Sequence, residues 1–122
     1  QIQQWRNSVR NHTIVIGYGT KGRSAIDALI AGGASPSSIV VIDSDPAALS
    51  VAEQRGLITV HGNGTKSGVL RVAAVSRARS VIVAPSSDDT AVLITLSVRE
   101  MAPSAMIVAK VSESENQHLL MQ

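Results

Sequence analysis

Cysteine is absent from these 122 residues. Disulfides, thiolate nucleophiles and Cys-ligated metals are excluded together, and a reducing compartment suits such a chain. Phenylalanine is absent too, so Trp5 and Tyr18 make up the 2% of aromatics. A core must then be built from Val, Ile, Leu and Ala, as buried parallel strands usually are. No apolar run approaches the roughly 18 residues needed to cross a bilayer. The opening QIQQWRNSVRNH carries no apolar segment of a signal peptide. Charge is scarce: 11 Lys and Arg against 9 Asp and Glu leave +2. That is too little to argue for nucleic acid, and no basic cluster is interleaved with aromatics. Lys66, Arg71, Arg77 and Arg79 read as a solvated face. The expectation is a soluble, cytoplasmic domain without a nucleic-acid partner.

What is present is globular. Hydrophobic residues make up 44% and charged residues 16%, and the length suits one domain. Residues 1–12 read as a polar linker or arm, and 13–122 as the domain. TIVIG (13–17), SIVVID (38–43), LITV (57–60), SVIVA (80–84) and AMIVAKV (105–111) are β-branched runs bounded by turn residues, which predicts five strands. Helical patterns separate them. Ile26, Leu29 and Ile30 share a stripe before GGAS stops the helix, and Asp45-Pro46 is a good helix start closed by Gly56. Val69, Leu70 and Ala73 mark a short helix. Asp88 or Asp89 opens a strong one through Val92, Leu93, Leu96 and Arg99, and Ser114 with Gln117 forms a capping box for a last one. Strands alternating with helices predict an α/β fold, a Rossmann-like doubly wound parallel sheet with helices on both faces.

VIGYGTKGR (15–23) carries the chemistry. Gly17, Gly19 and Gly22 stand at G-x-G-x-x-G spacing between a predicted strand and a predicted helix, the context this motif requires. The first glycine allows the tight turn, the second lets a pyrophosphate approach the backbone, and the third lets helix and strand pack closely. Tyr18, Thr20 and Lys21 lie within the loop, and the helix N-terminus offers free N–H groups to an anion. Arg23 sits in the first turn, where a cation is unfavourable unless an anion neutralises it, so it is a candidate phosphate ligand. Asp43, 21 residues after Gly22, is the candidate acid for the adenosine ribose. Ser44 and Asp45 follow it, so no arginine stands ready for a 2′-phosphate. NAD(H), or ATP, ADP or AMP, is favoured over NADP(H). The loops HGNGT (61–65) and APSSDD (84–89) face the same crevice, with Asn63, Thr65, Pro85 and Ser86 as candidate contacts.

Reaction machinery is missing. His12 lies at the wrong end of the first strand, His61 reads as a loop residue without a carboxylate partner, and His118 falls in the last helix. There is no HExxH, EF-hand loop, P-loop or nucleophile elbow. No catalytic residue and no metal ligand is assigned. A second, substrate-binding domain is not seen, so a bound nucleotide is expected to report rather than react.

Together, HTIVIGYGTKGR, IVVIDSDP, GLITVHGNGT, ARSVIVAPSSDD and IVAKVSESEN resemble the RCK domain, the regulator of K⁺ conductance, over roughly residues 12–122. The resemblance implies a cytosolic ligand-sensing domain of a potassium channel or K⁺ uptake system. It implies homo-oligomers, dimers within an octameric gating ring, coupled to a membrane-embedded pore through the N-terminal arm or non-covalently. Gly17, Gly19, Gly22, Arg23 and Asp43 match the family's nucleotide ligands. Asn63 stands where the family usually has aspartate. Ala84, Lys110 and Ser112 stand where calcium-gated members carry carboxylates, so calcium is not expected there. Two other readings stay open: the cofactor half of an NAD-dependent dehydrogenase, and a free-standing NAD(H)-sensing interaction module.

Overall fold

A computed structural model describes residues 10–109. Its sheet comprises β1 (Thr13–Ile16), β2 (Ile39–Asp43), β3 (Ile58–His61), β4 (Ser80–Val83) and β5 (Met106–Ala109). The strands lie in the order β3-β2-β1-β4-β5, and every neighbouring pair is parallel. The helices are α1 (Thr20–Ala31), α2 (Pro46–Gln54), α3 (Ser67–Val72) and α4 (Asp88–Met101). Trp5, Lys110, Ser112, the capping box of Ser114 and Gln117, and His118 lie outside the described residues.

Alternation along each strand sorts the side chains between two cores. Ile14, Ile16, Val40, Ile42, Val81 and Val83 pack under α3 and α4 with Leu70, Ala91, Ile94 and Val98. Val15, Ile39, Val41 and Ile82 point the other way, against Ala25, Ile26, Leu49 and Ala52 of α1 and α2. The sheet is therefore covered on both faces, which is why its strands are nearly continuous in Val and Ile. Full burial of one such side chain contributes about 1.5–3 kcal/mol.

The starts and stops follow local chemistry. Asp45 caps α2 by accepting from the Ala47 N–H at 3.0 Å, with Pro46 at the first helical position. Gly33, at φ +103°, turns the chain out of α1. Asp88 is the first residue of α4, as expected, and Ser87 caps it, its hydroxyl accepting from Thr90 N–H at 3.5 Å. Val92, Leu93 and Leu96 lie on α4 but away from the core: they are 60%, 58% and 63% exposed, and Ala91, Ile94 and Val98 are buried instead. One expectation needs correction: His61 is not in a loop. It ends β3 beside Asp43, and its Nε2 donates to the Ser44 carbonyl at 3.1 Å.

His12 sits just before β1 and is buried, its Nε2 donating to the Ala73 carbonyl at 2.8 Å. Desolvation lowers its pKa below 6.5, outweighing that hydrogen bond, and the Arg77 guanidinium pushes the same way. The unfolded chain therefore binds the extra proton more readily, and stability rises with pH through this group. Its contribution is complete above about pH 6.5 and is lost as pH falls through the lowered folded value. Urea midpoints of wild type are expected to drop between pH 7.5 and 5.0 by more than those of His12→Asn.

Candidate functional site

The order in which strands are added reverses at β1. The chain runs outward through β2 and β3, then returns to place β4 on the other side. The loops after β1 and β4 therefore part at their carboxyl ends, the place where open α/β sheets bind ligands. A crevice of about 400 Å³ lies there.

The glycine loop forms one wall, and each glycine has its own reason. Gly17 has φ +104°, and a Cβ on it would collide with the Ala84 carbonyl. A Cβ on Gly22 would collide with the Gly17 carbonyl, so α1 meets the end of β1 backbone to backbone. Nothing lies within 4 Å of the position a Cβ would take on Gly19. Gly19 lines the crevice and is the N-cap of α1, where it has no side chain to cap the first-turn N–H groups. That turn also carries no acidic residue, whereas α4 has Asp88 and Asp89 in its first turn. The end of α1 is thus left bare and electropositive, with open space before it, and a phosphate fits it.

Asp43 is the hub of the opposite wall. Oδ2 accepts the Tyr18 N–H at 2.7 Å, and Oδ1 accepts the Asp45 N–H at 2.8 Å. The carboxylate therefore ties the glycine loop to the start of α2. Two oxygens offer about four lone-pair sites, so acceptor capacity remains for ribose hydroxyls. Lys21 and Asp43 are the charged side chains of the lining among the described residues.

Of the sequence candidates, Gly17, Gly19, Thr20, Lys21, Asp43, Ser44, Asn63, Pro85 and Ser86 all line this crevice. Four are placed elsewhere. The Tyr18 ring is buried under α1 and α2, and its hydroxyl accepts from Arg55 at 3.2 Å; Arg55 in turn reaches Asp27 at 2.8 Å. Gly22 serves the helix–strand packing. Arg23 is exposed and turns back to the Gly19 carbonyl at 3.4 Å, away from the lining. Thr65 folds onto Asn63, whose Oδ1 accepts both its N–H at 2.9 Å and its hydroxyl at 2.7 Å.

Sequence reasoning missed Ile16, Ile42, Thr90 and Ile94, and it placed Gly62, Gly64 and Ala84 in crevice loops without naming them as contacts; these seven complete the lining. The glycines of HGNG were a usable signal. A Cβ on Gly64 would lie 2.5 Å from Ile16 Cγ2, so the β3–α3 loop must close directly on the end of β1. Among the described residues no cluster of three His, Cys, Asp or Glu side chains could hold a metal, and no helix is long and apolar enough to cross a membrane.

Glycine loop, strand-end carboxylate and switch-point crevice together define the dinucleotide-binding type of doubly wound domain. Residues 13–122 match the TrkA-N domain, and the chain belongs to that family. It is 36% identical over 106 residues to Potassium channel protein 1 of Methanocaldococcus jannaschii, covering 84% of this chain and 30% of that protein. The GsuK channel bound to NAD superposes with a TM-score of 0.74 at 29% identity, over 94% of this chain and 20% of that one. GsuK bound to ADP gives a TM-score of 0.73 at 29% identity, over 94% and 30%. The chain spans 17% to 34% of the length of the curated relatives it matches. The likeness to RCK domains read from the motifs holds.

The glycines separate fold from binding. Gly22→Ala forces a backbone collision and is expected to cost about 3 kcal/mol or more, read as a large fall in melting temperature. Gly19→Ala has room in the free protein and is expected to melt within a few degrees of wild type, yet lose affinity for phosphate-bearing ligands. Equal melting temperatures for the two variants would refute the division of roles.

Proposed function

We propose that this domain is the cytosolic nucleotide sensor of a potassium channel or transporter, binding NAD(H) or an adenine nucleotide without turning it over. The observation that carries the reading is the pairing of a bare α1 N-terminus, open in front of Gly19, with the anchored carboxylate of Asp43. In this reading Gly17, Gly19, Thr20 and Lys21 take the phosphates, and Asp43 and Ser44 take the adenosine ribose. Asn63 borders the adenosine side, and Pro85 and Ser86 close over the phosphates. Arg23 joins them by leaving the Gly19 carbonyl. Tyr18, Gly22 and Thr65 act through the shape of the loops. The GsuK structures with NAD and ADP support this choice of ligand. The ligand moves a gate only by its differential affinity for the two gating states.

A thermal-shift panel tests the site. At 100 times its dissociation constant a ligand stabilises by about 2.7 kcal/mol, which raises the melting temperature of a domain this size by roughly several degrees. NAD⁺, NADH or ADP is expected to give that shift, and NADP⁺ is not, because its 2′-phosphate meets Asp43. A shift with none of them would overturn the reading.

A homo-oligomer belongs to the same proposal, with the solvent face of α4 as its docking surface. Val92, Leu93 and Leu96 lie at helical spacing on one side and are all more than half exposed. Leu93→Asp with Leu96→Asp is expected to reduce the sedimentation mass while leaving the melting temperature within a few degrees. An unchanged mass would refute this surface.

A further inference from the structure

One contact spans the mouth of the crevice. Lys21 Nζ lies 3.8 Å from Asp88 Oδ1, and each side chain keeps 26% of its surface exposed. Lys21 stands in the first turn of α1 and lines the crevice, while Asp88 opens α4. The bridge therefore joins the helix that follows β1 to the helix that follows β4, across the switch point.

The two partners are unequally suited to their places. A carboxylate is stabilised at a helix N-terminus, and an ammonium group is destabilised there. Asp88 is well placed on α4 with or without Lys21. Lys21, by contrast, needs an anion nearby. At 3.8 Å the pair is loose, beyond hydrogen-bonding distance, and a loose, partly exposed pair is readily exchanged. A phosphate arriving at the bare end of α1 offers the same ammonium a doubly or singly charged partner at closer range.

We infer that Asp88 sets nucleotide affinity through Lys21: binding exchanges the Lys21–Asp88 ion pair for a Lys21–phosphate pair. The inference rests on the phosphate reading proposed above. Asp88 touches no ligand in this scheme; it is a positioning residue that holds the ammonium off its phosphate until the ligand displaces it. The exchange makes the link between α1 and α4 conditional on an empty crevice. It thereby connects ligand binding to the helix that exposes Val92, Leu93 and Leu96.

A double-mutant cycle tests this, with ADP as the probe and titration calorimetry as the readout. Asp88→Asn is expected to tighten ADP by about two- to fivefold in the wild-type background. Lys21→Gln is expected to weaken it. In the Lys21→Gln background, Asp88→Asn is expected to change nothing, because the competition has no object. Asp88→Ser, which also keeps a helix-starting residue at that place, is expected to repeat the result. Equal tightening in both backgrounds would mean direct repulsion of the phosphate and would overturn the inference, as would no tightening in either. If wild type binds ADP but Lys21→Gln binds it equally well, the inference also fails while the nucleotide reading stands. Absence of ADP binding by wild type would instead overturn the phosphate reading and the inference together.

Discussion

The backbone of α1 touches the backbone at the end of β1, and the rest of the crevice depends on that contact. Gly22 has no Cβ because one would strike the Gly17 carbonyl, and Gly17 has none because one would strike Ala84. These two close approaches bring the loops after β1 and β4 together at a fixed spacing. They also fix where the first turn of α1 ends, and so where its unpaired N–H groups gather. An α1 seated farther from the sheet would leave that positive end with no wall opposite it.

Asp43 extends the same constraint sideways. A carboxylate at a strand end is ordinarily solvated, yet here both oxygens hold backbone N–H groups, one from Tyr18 and one from Asp45. The ribose-binding candidate is therefore also the tie between the glycine loop and α2. Tyr18 reinforces the tie from below, through its buried ring and its contact with Arg55, which reaches Asp27 on α1. Preorganisation of this kind lowers the ordering cost of binding. It also means that removing Asp43 disturbs the glycine loop as well as the proposed ribose contact.

On the far side of the crevice α4 has two jobs on two faces. Ala91, Ile94 and Val98 fill the core, with Ile94 reaching the crevice lining. Val92, Leu93 and Leu96 face solvent. Small and β-branched residues bind α4 to the sheet, which leaves the larger leucines on its solvent side. The proposed ligand exchange at one end of α4 and the proposed association along its flank would thus be carried by one element.

The order of elements, the parallel sheet and its two covered faces were legible in the sequence, since apolar periodicity and glycine or proline punctuation are local properties. So was the glycine motif, because the chain must turn tightly right after β1, and so was Asp43 by its spacing. The two faces of α4 were not legible. Val92, Leu93 and Leu96 are as apolar as any core stripe, and only the placement of α4 over β4 and β5 turns Ala91, Ile94 and Val98 inward. On the sequence Arg23 was the favoured phosphate ligand and Lys21 only a loop residue; their angular positions on the first turn send Arg23 to solvent and Lys21 to the crevice. His61 read as a loop residue because a strand's end is set by its neighbour's ladder, not by its own sequence. By itself the sequence determined the fold and the glycine-bounded helix end at the crevice, because backbone turns and apolar patterns act over a few residues. Only the tertiary structure decided which side chains face the crevice, and that Lys21 meets Asp88 across it, because those two residues are brought together by crossovers that no local pattern encodes.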